Sequence, residues 1–366
     1  MNLALAHDSF TQQGGAERVV EALHEMYPDA PVYALVLDKK LREKYRGWDI
    51  RTSWLQPLYD LFPKLRYFLP FIPFAVSLFN FEGYDVVVSS SSSWIKNIKV
   101  PKGCVHINYC HTPTRFLWVD KNYFGQEVPK ILRPIARPII NLMKKWDYKG
   151  AQRVTFFIAN SKEVQKRIKQ YYGRDSEVVY PFVDTKFWKP TMAKQDYFLI
   201  VGRLQAHKHN DRIIEIFNEL GLPLHVVGTG RQEKYLRSIA KDNIKFFGRV
   251  PDEQLRDEYS GAKGLVFPQL EDFGLVPLEA AACGTATLGL AAGGNLETIA
   301  PGVTGELFEG NDGNIIKNMI LQWDPQKYTA ENLRCHAEKF GKERFKRQVS
   351  NLINSIFSHG EHLNRE

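Results

Sequence analysis

Residues 198–208 read FLIVGRLQAHK, and residues 264–280 read GLVFPQLEDFGLVPLEA. Each opens with a four-residue apolar run, breaks at a polar or glycine-containing turn, and then carries charged side chains. Continuous Val, Ile, Leu and Phe, without alternation, is the pattern of a strand covered on both faces. The same pattern recurs outward in both directions, at 3–6, 32–36, 85–89, 105–109, 154–159, 224–227, 244–247 and 285–290. Helical periodicity lies between most of these runs, at 16–26, 162–171, 211–220, 232–240 and 252–259. Strand and helix in alternation predict parallel sheets with right-handed crossovers, an α/β fold.

The chain has 366 residues, long enough for two domains. The pattern restarts near Asp196, after the proline-containing segment VVYPFVDTKFWKPTMAKQ at 178–195. The expected division is a first domain over 1–187, a second over 188–340, and a C-terminal helix over 341–366 that packs back on the first. Two doubly wound, Rossmann-like domains are expected to face each other across a cleft, with ligands beyond the carboxyl ends of the strands.

Composition excludes several classes. With 44% hydrophobic and 25% charged residues the chain is neither disordered nor fibrous. Cys104, Cys110, Cys283 and Cys335 form no C-x-x-C pair, so neither a disulfide framework nor a zinc site is expected. The start, MNLALAHDSF, lacks a basic segment followed by a long apolar one, so a cytoplasmic protein is expected. The most apolar stretch, LRYFLPFIPFAVSLFNF at 65–81, is broken by Arg66, Pro70, Pro73 and Asn80, which argues against a membrane span.

Charge is uneven. The net charge is +8, yet residues 121–170 alone hold twelve Lys or Arg against three Asp or Glu. Ile131, Leu132, Ile135, Ile139, Leu142, Met143 and Trp146 recur there at helical spacing, with Lys130, Arg133, Arg137, Lys144 and Lys145 between them. Two readings fit: a solvated basic helix face, or a surface for anionic lipid or a phosphorylated acceptor. No nucleic-acid-binding module signature accompanies the charge, so nucleic acid is not an expected partner.

Four constellations follow strands. HDSFTQQGGAER at 7–18 places Gly14 and Gly15 just before a helix, where backbone amides can approach a ligand. YCHTPTRF at 109–116 puts His111 at a strand end. Gly202 opens the loop bearing Arg203 and Lys208, a guanidinium fork and a point charge suited to phosphate. Glu271 and Glu279 flank Phe273, Gly274 and Leu275, where a helix N-terminus can hold a phosphate while Glu279 reaches ribose hydroxyls. Carboxylates beside a phosphate site suit a sugar nucleotide. No Asp-x-Asp and no cluster at metal-ligand spacing appears, so no metal is expected.

Taken together, HDSFTQQGGAERV, YCHTPTRFLW, ANSKEVQKRI at 159–168, VVYPFVDTKFW, GRLQAHK and EDFGLVPLE resemble glycosyltransferase family 4 along nearly the whole chain. The resemblance implies the GT-B fold and metal-independent transfer, with retention, from an α-linked nucleotide sugar. It implies that Arg203 and Lys208 hold the donor diphosphate with the amides of Phe273, Gly274 and Leu275, Gly202 being donor-binding beside them. It further assigns Glu279 to the ribose, Glu271 and His111 to the donor sugar, and Gly14 and Gly15 to the loop under the donor phosphates and near the acceptor. The proline pair common in the family near the linker reads Pro181-Phe182 here. The N-terminal motifs look closest to bacterial mannosyltransferases of surface polysaccharide assembly. That likeness implies GDP-mannose as donor (no cofactor besides), a lipid-linked saccharide as acceptor, and an anionic membrane surface as partner, with the protein peripheral on the inner face. A UDP-sugar donor, a non-catalytic partner protein and a sugar-nucleotide epimerase of the same fold are the alternatives.

Overall fold

Among the described residues, thirteen short strands form two separate parallel sheets. The computed structural model describes residues 1–119, 133–310 and 312–363. The chain divides into one unit of Met1–Pro181 with Phe345–Glu366 and a second of Phe182–Arg344. In the first unit, β1 (Leu3–His7), β2 (Val32–Ala34), β3 (Ile50–Thr52), β4 (Val86–Ser91), β5 (Val105–Cys110), β6 (Phe156–Ala159) and β7 (Glu177–Val178) lie in the order β3-β2-β1-β4-β5-β6-β7. In the second, β8 (Phe198–Val201), β9 (Leu224–Val227), β10 (Ile244–Gly248), β11 (Gly264–Phe267), β12 (Thr287–Leu290) and β13 (Gly305–Phe308) lie in the order β10-β9-β8-β11-β12-β13. Both are doubly wound. Strand order reverses between β1 and β4 in one sheet and between β8 and β11 in the other, and ligands of such sheets bind at those reversals.

Local chemistry accounts for the crossovers. In the helix Lys162–Tyr172, the Ser161 hydroxyl accepts the Val164 amide at 3.0 Å, and Gly173 at φ +67° ends the last turn. Val164, Ile168 and Tyr172 face the sheet. The 65–81 stretch becomes a 3₁₀ turn, Leu65–Phe71, and a short helix, Ile72–Ser77, with Pro73 in its first turn, where a missing N–H costs nothing. Phe68, Ile72, Val76 and Phe81 join the first unit's core with Trp94 and Met143.

The domain boundary falls after Pro181, not after Phe187. The reason is packing: the Val183 amide donates to the Phe340 carbonyl at 3.0 Å and the Arg256 guanidinium lies over the Phe187 ring at 4.9 Å, which binds residues 182–187 into the second unit. The C-terminal helix is Lys342–Leu363, and from Phe345 onward it belongs with the first unit. There Phe345 meets the Tyr109 ring at 5.8 Å and Lys346 pairs with Glu25 at 2.8 Å. Of the basic helix expected around 131–146, Lys130, Ile131 and Leu132 lie outside the described residues, as do the side chains of Arg133 and Ile135.

Candidate functional site

In the second unit the loops after β8 and β11 meet at the strand-order reversal. Gly202 adopts φ +146°, and a Cβ there would press on the Gln269 side chain, 2.8 Å from its Nε2. That nitrogen donates to the Val201 carbonyl at 3.0 Å, stitching the two loops together. The loop closes down so that Lys208 is buried while Arg203 stays exposed. The Lys208 ammonium pairs with the Glu271 carboxylate across the reversal. Among the described residues the Arg203 side chain makes no hydrogen bond or ion pair.

Gly274, at φ +94°, turns the chain into the helix Leu275–Ala282. Its neighbour Phe273 is buried against the Phe340 ring at 5.8 Å. Glu279 lies just over one turn inside that helix, 5% exposed, and its Oε2 accepts the Tyr259 hydroxyl at 3.1 Å. Lys208 and Glu271 thus touch, Gly274 and Leu275 begin the helix, and Glu279 sits behind its first turn.

Other residues fix these loops and carried no role in the sequence reading. A Cβ on Gly228 would collide with the Gly202 carbonyl, and one on Gly230 with that of Leu204. A Cβ on Gly294 would collide with the Phe273 backbone, and the Gly294 amide donates to the Glu271 carbonyl at 3.0 Å. Asn295 donates to the carbonyls of Gln269 at 2.9 Å and Leu290 at 3.0 Å. The available signal was glycine in the loop just after a strand, in GTG at 228–230 and AAGGN at 291–295.

In the first unit, the polar groups gather after β1, β4 and β5. The His111 Nε2 shares a hydrogen bond with the Ser90 hydroxyl at 2.8 Å, and the His7 Nδ1 lies 3.1 Å from the Ser90 carbonyl. Burial, helped by the nearby His7, pushes the His111 imidazole down to about 3, so it is neutral at physiological pH. Gly14 donates its amide to Glu17 Oε2 at 3.0 Å, which fixes the glycine turn at the start of the helix Gly15–Met26. Asp8, quoted in the first motif but given no role there, accepts the amides of Ser92, Ser93, Trp94 and Ile95. Behind that loop, the fully buried Lys96 and Asp147 pair, and Asp147 also accepts Thr114 at 3.0 Å, Trp118 at 2.8 Å and Tyr172 at 2.8 Å. This network anchors the segment that follows His111.

Among the described residues no group of three or more His, Cys, Asp or Glu side chains could hold a metal ion. No described helix is long and apolar enough to cross a membrane.

Known proteins share this framework. A family model described as Glycosyltransferase Family 4 matches residues 13–187, and one described as Glycosyl transferases group 1 matches residues 182–340. A D-inositol 3-phosphate glycosyltransferase of Geodermatophilus obscurus is 32% identical over 51% of this chain and 49% of its own length. A GDP-mannose-dependent monoacylated alpha-(1-6)-phosphatidylinositol monomannoside mannosyltransferase of Corynebacterium glutamicum is 29% identical over 42% of this chain and 46% of its own. The matched part is thus about half the length of these curated relatives. The crystal structure of Anabaena HepE in complex with UDP superposes with a TM-score of 0.72 over 97% of this chain and all of that one, at 18% identity. That likeness shows the fold, which is GT-B.

Proposed function

We propose that this chain, which belongs to glycosyltransferase family 4, moves mannose from GDP-mannose onto a lipid-linked saccharide, with retention and without a metal ion. The observation that carries this reading is the reversal between β8 and β11, where Lys208, Glu271 and the start of the helix Leu275–Ala282 converge. The bond from the sugar C1 to the diphosphate breaks, and negative charge grows on the departing oxygen. Arg203, Lys208 and the helix N-terminus stabilise that charge. The acceptor hydroxyl forms the new bond from the side the nucleotide leaves, and its proton passes to a phosphate oxygen. Glu271 accepts from sugar hydroxyls and Glu279 from the ribose. His111, held neutral by burial, hydrogen-bonds and does not act as an acid.

Mannose is favoured by the Corynebacterium relative, whose name specifies GDP-mannose. A panel of GDP-, UDP- and ADP-sugars tests this: GDP-mannose should raise the melting temperature most. It should then be consumed with a lipid-linked acceptor in the presence of EDTA. Stabilisation by UDP-sugars alone overturns the donor. Complete loss with EDTA, restored by magnesium or manganese, overturns the metal-independent mechanism. Donor consumed equally without acceptor would favour the epimerase.

For the acceptor we propose that the first unit rests on the anionic inner face of a membrane. Trp54, Leu58, Leu61, Phe62, Phe71 and Phe74 are all exposed within one short segment. The Trp54 ring lies 6.3 Å from Phe71 and 6.0 Å from Phe74, so these three rings form a patch. Such contiguous apolar surface marks an interaction site. Lys64 and Arg66 sit over the Tyr67 ring, while the segment's acid, Asp60, is neutralised by Arg42 at 2.7 Å. Aromatic side chains edged by cations suit an anionic lipid interface. Phe71→Ser with Phe74→Ser should abolish binding to anionic vesicles, and Lys144→Glu with Lys145→Glu should weaken it. Glycosylation of a soluble acceptor analogue should be unchanged in both. Equal binding to neutral and anionic vesicles, or to neither, overturns the membrane partner, and self-association through the patch would show as a concentration-dependent dimer.

A further inference from the structure

Behind Glu279 stands a fully buried tyrosine at the end of a crossover helix. Tyr259 lies in the helix Asp252–Gly261, between β10 and β11. Its hydroxyl donates to Glu279 Oε2 at 3.1 Å. Its own carbonyl accepts the Thr285 hydroxyl, from the turn that follows the helix carrying Glu279. Lys194 donates to the same Thr285 hydroxyl and, at 2.9 Å, to the Ser260 carbonyl. Trp188 closes the ring's flank, edge-on at 5.6 Å. Tyr259 is therefore gripped at both ends, and its phenol is a fixed donor to the carboxylate.

That grip has a chemical consequence. A carboxylate on a flexible side chain can turn toward whichever donor is nearest. One oxygen held by a buried phenol removes that freedom and leaves the group ordered before a ligand arrives. A site built to hydrogen-bond a hydroxyl rejects the analogue that lacks it, because its acceptor is then left without that partner. How sharply it rejects depends on how firmly the acceptor is held. We infer that Tyr259 is a positioning residue: it sets the Glu279 carboxylate for the ribose hydroxyls and thereby selects ribonucleotide donors over deoxy ones. The inference rests on the proposed ribose role of Glu279.

The test compares binding of GDP and 2′,3′-dideoxy-GDP by calorimetry, with the UDP pair alongside, to wild type, Tyr259→Phe and Glu279→Gln. Wild type should prefer the ribonucleotide by at least ~10-fold, the size of a hydrogen bond to a charged group. Tyr259→Phe should cut that preference by roughly fivefold through weaker ribonucleotide binding, with the dideoxy affinity little changed. Turnover at saturating donor should stay near wild type, since ribose contacts are alike in ground and transition states. The preference is a ratio measured on one preparation, so a lower folded fraction cancels from it. A full preference in Tyr259→Phe, with loss in Glu279→Gln, overturns the positioning role and leaves the ribose reading standing. A full preference in Glu279→Gln overturns the ribose reading itself, and the inference with it.

Discussion

Each sheet reverses its strand order once, and at each reversal a charged side chain ties the two loops together, but the ties differ in kind. In the first unit, Asp8 after β1 accepts four backbone amides of the loop after β4, at 2.6–2.8 Å. In the second, Lys208 after β8 pairs with Glu271 after β11. An anion saturated by backbone donors has no cheaper partner to exchange for. A lysine paired with a carboxylate that is still 27% exposed can exchange it for a phosphate of equal charge sign. One reversal holds a carboxylate saturated by backbone amides and the other an exchangeable ion pair, although the topology of the two is alike.

The largest effect that would test this contrast is on stability. Asp8→Ala leaves four amides without their acceptor, and each such group costs on the order of 1–3 kcal/mol where water cannot replace it. Denaturant unfolding should show a loss of at least ~4 kcal/mol in the first unit. A loss under ~1 kcal/mol would mean that the loop is held by something else, and the scaffold half of the contrast would go.

Next comes turnover. Lys208→Ala and Arg203→Ala should each lower it by at least ~10²-fold, the cost of losing a group that stabilises developing charge. Steady-state rates at saturating donor measure this. Near-normal turnover in either folded variant removes that residue from the site.

Acid should separate the units further. His106 and His111 are both pushed down to about 3, first by burial, then by Arg153 and by His7 respectively. Their folded values lie below the unfolded value of 6.5. The unfolded chain therefore binds more protons, and stability is lost as pH falls from about 6.5 toward 3. At pH 6 the pair should already cost the first unit ~2 kcal/mol. In the second unit His336 is lowered in the same way, by partial burial. Hydrogen exchange at pH 6 against pH 7.5 should show amides of β4 and β5 losing protection before those of β8 and β11. Equal loss in both sheets would break the ordering.

How much of this was legible in the sequence follows burial. Strands in the middle of each sheet, such as β8, β9 and β11, read directly as apolar runs because both faces are covered. The runs that escaped, β3, β7 and β13, are all edge strands of two to four residues. An edge strand has one neighbour and needs less apolar surface, so Ile50–Thr52 and Glu177–Val178 carry almost no pattern. The loops bearing Arg203, Lys208, Glu271 and Glu279 were legible because charge after a buried strand is itself unusual. The roles of Gly228, Gly294 and Tyr259 were not, since each depends on a chain segment distant in sequence: Gly202, Phe273 and Glu279 respectively. The pairing of Lys208 with Glu271 was also hidden, because the family resemblance implies different groups of the donor for the two residues.

That pairing supports the smallest effect, and the sharpest test of exchange. Glu271→Gln removes the carboxylate but leaves Lys208, 3% exposed, holding a buried charge with its acidic partner gone. Lys208→Ala leaves Glu271 more exposed, and water can solvate it. The free protein should therefore be destabilised more by Glu271→Gln than by Lys208→Ala. Nucleotide diphosphate should then offset part of that loss, because its phosphate takes the place of the missing carboxylate. Saturating GDP should raise the melting temperature of Glu271→Gln more than that of wild type, by ~2–4 °C for each kcal/mol of regained pairing. In Lys208→Ala the same nucleotide should give less than the wild-type shift. If GDP stabilises wild type as much as Glu271→Gln, then Lys208 keeps its partner when the diphosphate binds. The two reversals would then both be scaffold, and the anion would have to be held by Arg203 and the amides at Gly274 and Leu275 alone.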